Sequence, residues 1–311
     1  MLAPDEVISS EKFQALADVC IATRWKLAIH TSHPPMPVAE LNQDNSLDSA
    51  AVELVRGART IFVYADFIDV FFSRIVPLLT RPFFLITNGS TTEIGERFLP
   101  QLSTPLLSRW FTINATIAHP KLVVLPLGIA NSHHAHGNAN LLAEVASRGT
   151  AKRDGLYVNF EIGTNAAERL PVLKSLQKNP YAVMGRKRPF GISPREMLRR
   201  LAGRRPVIPS GKPLPFREYL EAVAQWKYCV SPPGLGVDCH RTWEALYLGA
   251  VPVLTRAPLG VLDELPHVFV KHFDGVDGPT LDRRFAELDR PFDMERLRFS
   301  YWRNRIRDLS V

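Results

Sequence analysis

The feature that most constrains this chain is an alternation. Short apolar runs rich in β-branched and aromatic residues recur, each followed by a polar turn and then a stretch with helical spacing. That pattern marks βαβ units and parallel sheets. In the first half it predicts strands at 25–30, 60–65, 83–87 and 122–127, with helices at 46–56, 67–80 and 106–118. In the second half it predicts strands at 156–160, 181–184, 228–231, 251–255 and 268–270, with helices at 166–177, 194–201, 216–224 and 239–248. A polar stretch at 146–154 (ASRGTAKRD) separates the two series and reads as a linker. The expected architecture is therefore α/β, with two Rossmann-like, doubly wound domains facing a central cleft and ligands outside the carboxyl ends of the strands. The expected division is 1–150 and 151–290. Residues 291–311 read as a terminal helix carrying Leu297, Tyr301 and Trp302, and the sequence does not name its packing partner.

Composition narrows the class. With 311 residues, 46% hydrophobic and 22% charged, the chain has ample material for a core and excludes a disordered tail, a fibre or a disulfide-built miniprotein. No apolar window reaches the ~18 residues of a membrane span, and the start (MLAPDEVISSEK) lacks the pattern of a secretory leader. Cys20, Cys229 and Cys239 are widely spaced and form no CxxC pair, so neither a disulfide framework nor a thiolate zinc site is expected. A cytoplasmic protein, peripheral to a membrane surface at most, is the expectation.

The net charge of +7 is concentrated in one place. Residues 185–205 carry eight Arg or Lys and one Glu, which equals the whole-chain excess. Ser193, Pro194 and Glu196 form a helix-start pattern there, and Met197, Leu198 and Leu201 share a face. This basic helix reads either as a solvated surface or as a dock for an acidic glycan, a membrane leaflet or nucleic acid. Nucleic acid is the weakest of these, since no zinc-finger spacing or RNP-type motif accompanies the charge.

The stretch YCVSPPGLGVDCHRTWEALYLGAVPVL, residues 228–254, carries the chemistry. It reads as strand, Pro/Gly loop, helix and strand, with Asp238 as the N-cap and Gly249 as the left-handed stop. Gly234 and Gly236 precede the helix start, where free amides and the helix dipole favour a phosphate or diphosphate. Arg241 adds a forked charge one turn in. Glu244, three residues on, lies on the same face, where a carboxylate can accept from the vicinal hydroxyls of a ribose. Phosphate followed by ribose implies a nucleotide. The competing reading is that Arg241 and Glu244 pair with each other and the glycines serve a tight turn.

The run Ser-Pro-Pro-Gly-x-Gly-x-Asp-x-His-Arg-x-Trp-Glu-Ala-Leu, from Ser231 to Leu246, resembles the C-terminal signature of exostosin-like (GT47-type) glycosyltransferases. Weaker similarity runs through LITNGS, RWFTINATIAHPKLVVLPLGIAN and YVNFEIGTNAAER, so the resemblance covers roughly residues 60–270. It implies a GT-B fold and an inverting transfer from a nucleotide sugar, usually a UDP-sugar, held by the C-terminal domain, with a glycan acceptor on the N-terminal side. Anionic and membrane-linked acceptors are both open. No Asp-x-Asp triad occurs, so no carboxylate-held metal and no other cofactor is expected, and arginine and helix dipole are left to meet the leaving-group charge. The donor site then comprises Ser231, Pro232, Gly234, Gly236, Asp238, His240, Arg241, Thr242 and Glu244. Arg169 is a second diphosphate candidate, with Asn159 and Thr164 on the same rim.

Displacement at an anomeric carbon needs a base, expected from the opposite domain. Asp66, Asp69 and Glu93 are candidates, each following an expected strand. Members of the family tend to carry an Asp in the turn after the strand FFLITN, where this chain has Ser90-Thr91-Thr92-Glu93, so the base stays open among these carboxylates. Asn88, Gly128 and Asn131 are expected to line the acceptor cleft. His133, His134 and His136 lie in a Gly/Asn-rich stretch without a nearby carboxylate and are not expected to hold a metal. A noncatalytic nucleotide- or polyanion-binding module using the 185–205 helix is the rival reading. An epimerase is disfavoured because no GxGxxG fingerprint and no Tyr-x-x-x-Lys pair occur. Donor sugar, linkage and oligomeric state are not legible here.

Overall fold

A computed structural model describes residues 2–30, 36–185 and 214–310. The basic segment, apart from Gly185, lies outside the described residues.

Two parallel sheets form the framework. The first contains β1 (Val19–Thr23), β2 (Val38–Leu41), β3 (Thr60–Tyr64), β4 (Phe83–Asn88), β5 (Leu107–Thr112) and β6 (Leu122–Val124), in the order β2-β1-β3-β4-β5-β6. The second contains β7 (Arg153–Val158), β8 (Ala182–Met184), β9 (Trp226–Val230), β10 (Val251–Leu254) and β11 (Val268–Phe269), in the order β11-β10-β9-β7-β8. Counted within each unit, both sheets wind in the same sense, with the second strand outside the first and the rest added on the other side. The chain is thus α/β, with one winding used twice.

Both faces of each sheet are buried, as parallel sheets require. Val19, Ile21, Ile61, Val63 and Leu85 enter one apolar cluster, while the alternate Cys20, Phe62, Tyr64, Phe84 and Ile86 enter another. In the second unit Leu156, Val158, Tyr228 and Val230 face one cluster, and Tyr157 and Cys229 the opposite one. All three cysteines are buried free thiols. Among the described residues no helix is long and apolar enough to cross a membrane.

The longer helices are α1 (Ser49–Gly57), α2 (Ala139–Ser147), α3 (Ala166–Leu176), α4 (Phe216–Ala224), α5 (His240–Tyr247), α6 (Gly278–Ala286) and α7 (Phe299–Leu309). Several expectations are corrected. Residues 24–30 are helical, and the strand lies just before them at β1; the Thr23 hydroxyl accepts from the Lys26 amide and helps turn the chain. Segment 106–118 contains strand β5, because Trp110, Phe111 and Thr112 sit between two strand neighbours. Segment 67–80 breaks into short helical turns, one of them with Pro77 in its first turn.

The division moves as well. Leu142 and Val145 of α2 pack with Leu220, Val223 and Trp243, so helix 139–147 already belongs to the second unit's core, ahead of residue 151. The supposed linker is part of that unit: Lys152 Nζ donates to the carbonyls of Ala224 and Leu248 at the ends of α4 and α5. The terminal helix α7 crosses back to the first unit, where Trp302 and Ile306 join Phe13, Phe62 and Ile86.

Candidate functional site

In an open α/β sheet a ligand crevice opens where neighbouring strands are followed by connections that leave in opposite directions. The first sheet has that point between β1 and β3, the second between β7 and β9. Lys26 and Asp66 follow the first pair, and Lys26 Nζ lies 2.7 Å from Asp66 Oδ2. Asn159 and the loop from Ser231 follow the second.

The loop between β9 and α5 is held from within. Arg169, only 4% exposed, uses every N–H it has. Nε donates to the Pro233 carbonyl at 2.8 Å, one terminal nitrogen to Glu161 O and Thr164 Oγ1, and the other to Pro232 O and, weakly, Cys239 Sγ. Arg169 and Thr164 therefore brace the loop and have no donor left for a diphosphate. Ser231 Oγ and Thr242 Oγ1 are both buried and satisfy each other at 2.8 Å. The glycines have packing duties: a Cβ on Gly234 would lie 2.9 Å from an Arg169 nitrogen, and one on Gly236 2.7 Å from Asn114 Nδ2.

Asp238 also departs from expectation. The helix begins after Cys239, and no side chain caps it. The buried Asp238 carboxylate instead accepts from Cys239 N at 2.8 Å, from Trp243 Nε1 at 3.0 Å and, across the seam, from Leu127 N at 3.0 Å. Its own amide donates to Asn114 Oδ1. Burial pushes its carboxyl up to about 6 despite these donors. Asp238 is a clamp between the units.

Gly128 belongs to the same seam. With φ +69°, it packs so closely on Ile8 that a Cβ would meet the Ile8 carbonyl at 2.2 Å, and its carbonyl accepts from His240 Nδ1 at 2.8 Å. Asn131 Oδ1 accepts from the Glu11 amide. Gly128 and Asn131 Oδ1 thus join segments of the chain. His133, His134 and His136 lie side by side, with successive centroids 4.0 and 5.3 Å apart, the first pair tilted and the second stacked. Among the described residues no group of three or more His, Cys, Asp or Glu side chains is placed to hold a metal ion.

Against this spent background Arg241 stands out. Its Nε is buried without a partner, and among the described residues no hydrogen bond or ion pair holds its guanidinium. The expected competing pair with Glu244 does not form: Glu244 Oε2 accepts from Tyr219 at 2.7 Å instead. Burial pushes the Glu244 carboxyl up, opposed by Tyr219 and Arg241. Two asparagines at strand ends also have an orphaned buried atom, Asn88 Nδ2 and Asn159 Oδ1. The Asn88 oxygen accepts from Ser10 Oγ and Gly89 N, while Asn159 Nδ2 donates to Tyr157. Each unsatisfied buried polar atom calls for an explanation, and these two lie at the carboxyl ends of parallel strands, where a ligand crevice is expected.

The candidate bases differ in how they are held. Asp66 takes Lys26 and the Ser90 hydroxyl, Glu93 lies 3.6 Å from Arg256 across the seam, and Asp69 lies 3.8 Å from Arg97. Sequence reasoning missed Lys26, Asn114, Tyr219 and Phe160 as parts of this region. Tyr219 was findable only as a polar group on the apolar stripe of α4; the others carry no local mark.

No protein-family model matches the chain, and no curated protein matches it at a significant level. The functional reading therefore rests on the residues themselves.

Proposed function

We propose that this protein is an inverting glycosyltransferase of GT-B type that moves a sugar from a nucleotide-sugar donor, a UDP-sugar first among candidates, to a glycan hydroxyl. The observation that carries the reading is Arg241, partly buried beside the uncapped start of α5, with its Nε buried and no hydrogen bond or ion pair among the described residues. A forked cation with its donors unspent at a helix start is suited to an anionic ligand. Glu244, one turn along the same face, keeps one oxygen off Tyr219 for ribose hydroxyls. Asn159 completes a polar rim next to Phe160, whose ring centroid lies 6.0 Å from the Arg241 guanidinium carbon.

In the reaction, the acceptor oxygen bonds the anomeric carbon as the bond to the diphosphate breaks, and the leaving oxygen keeps the electron pair. Arg241 and the first amides of α5 stabilise that developing charge. With no Asp-x-Asp in the sequence, the protein's own cation and dipoles are assigned the role.

The test is a thermal-shift panel of UDP, GDP, CMP and ADP, with and without EDTA, on wild type and Arg241→Ala, since a ligand of the folded state raises its melting temperature. One nucleotide should shift the wild type, in EDTA as well, and fail on the variant. No shift with any nucleotide overturns the reading. Binding without consumption of any nucleotide sugar returns the chain to the noncatalytic alternative.

A further inference from the structure

Of the carboxylates expected to act as base, Asp66 is held by Lys26 and Ser90, and Glu93 faces Arg256 at 3.6 Å across the seam. One titratable group at the seam is held the opposite way. His240 is the first residue of α5, directly before Arg241, and its Nδ1 lies 2.8 Å from the Gly128 carbonyl oxygen. A carbonyl only accepts, so Nδ1 carries the proton and a neutral ring keeps its lone pair on Nε2. Nε2 has no partner among the described residues and is not sealed in the core. His240, expected among the donor-site residues, thus presents an acceptor at Nε2.

On the reading given above, we propose that His240 is the general base, its Nε2 taking the proton of the acceptor hydroxyl while Arg241 meets the charge on the leaving diphosphate. The balance is simple. The hydroxyl O–H breaks with its proton passing to Nε2, the oxygen bonds the anomeric carbon, and the carbon–phosphate oxygen bond breaks with its electron pair going to the diphosphate. Consecutive helical residues project about 100° apart, so His240 and Arg241 leave the start of α5 in different directions, and the proposal sets the reacting bond between them. The Gly128 bond, made from the opposite unit, holds ring orientation and tautomer, as the orienting partner does in nucleophile–base pairs.

The groups around the ring favour its neutral form. Burial is the main cause, His136 lies 6.4 Å away centroid to centroid, and His134 and Arg241 add positive charge nearby, against the Gly128 carbonyl. The resulting basicity, down to about 4, is that of an ordinary carboxylate, the group this reaction was expected to use. A bound diphosphate would raise it by adding negative charge nearby.

The experiment compares wild type, His240→Asn and His240→Gln for the UDP-induced thermal shift and for UDP release from a panel of UDP-sugars, with water or a mixed glycan as acceptor, over pH 4–9. Asparagine can still donate to Gly128 but lacks Nε2, so His240→Asn should keep the UDP shift and lose about 10²–10⁴-fold in turnover. Its acid limb should vanish, and added imidazole should restore part of the rate. Glutamine places an oxygen near Nε2 without its basicity and should be as inactive. Turnover by His240→Asn within about threefold of wild type overturns the assignment. So does loss of UDP binding together with turnover, which would make His240 a donor-site or structural residue. If UDP binds but wild type consumes no UDP-sugar, the glycosyltransferase reading falls and takes the base with it.

Discussion

The guanidinium groups of Arg169 and Arg241 flank one ring, that of Phe160, with their carbons 5.8 and 6.0 Å from its centroid. Arg169 has every donor engaged, and Arg241 has none engaged among the described residues. Two arginines in one neighbourhood therefore do opposite work, and substitution should separate them.

Arg169→Met should cost stability without any ligand present. Carbonyls of Glu161, Pro232 and Pro233 lose their donor, and unsatisfied buried acceptors cost about 1–3 kcal/mol each. The melting temperature of the free protein should fall by roughly 5–10 °C, read by calorimetry or far-UV circular dichroism.

Arg241→Met should differ. Arg241 makes no hydrogen bond or ion pair among the described residues, so its removal should cost the free protein less than that of Arg169, while the nucleotide-induced shift disappears. A loss of free-protein stability as large as that of Arg169→Met would show that Arg241 has a structural partner.

Gly236→Ala distinguishes packing from ligand approach. A new Cβ 2.7 Å from Asn114 Nδ2 presses on the side chain that accepts from the Asp238 amide. Chemical denaturation without ligand should show a loss of about 1–3 kcal/mol. If the glycine served only ligand approach, unliganded stability would stay as in wild type.

Asp238 and His240 give opposing pH dependences at one seam. Asp238, raised from 3.8 to about 6 in the folded protein, binds more protons folded than unfolded across that window. Its stabilising contribution is therefore present at low pH and lost as pH rises through about 6. His240, lowered from 6.5 to about 4, binds fewer protons when folded, so its contribution is present above 6.5 and lost as pH falls through about 4. Each is on the order of 3 kcal/mol, and they largely cancel between pH 4 and 6. Measured against the wild-type profile over that range, His240→Asn should tilt stability downward with rising pH and Asp238→Asn should tilt it upward, whatever each substitution does to the absolute level.

Much of the second unit was legible. Helix α4 spans the expected 216–224, and α5 and β10 lie within a residue of expectation at each end, because Pro/Gly punctuation and a clean apolar stripe agree there. The first unit was harder. Trp-Lys-Leu-Ala-Ile alternates like a strand yet forms a helix after β1, and Leu-Ser-Arg-Trp-Phe-Thr pairs as β5 because the sheet supplies neighbours on both sides. Short apolar runs do not distinguish these outcomes by periodicity. Helix α6, missed altogether, carries a readable start in Asp277-Gly278-Pro279, with Asp277 accepting from Thr280 N.

The site was legible as a place and not as a division of labour. Ser231, Thr242, Arg169 and Asp238 have the residue types a phosphate site needs, but the same types serve buried scaffolding. Only their partners decide, and those of Asp238 include Leu127, 111 positions away. The Gly128 contact that fixes the His240 tautomer is likewise invisible to local spacing.

The return of α7 to the first sheet bears on the order of assembly. The Ile8 amide bonds Tyr247 across 239 positions, and the Ser300 amide bonds Glu6 across 294. One face of the first sheet, lined early by Ile8 and Phe13, stays only partly covered during synthesis until residues 299–309 have been made. Its closure by Trp302 and Ile306 is a late, long-range event of the kind that slows folding. The first unit to be synthesised is thereby the last to be finished, and a nascent chain stalled before α7 would present an apolar sheet face to chaperones.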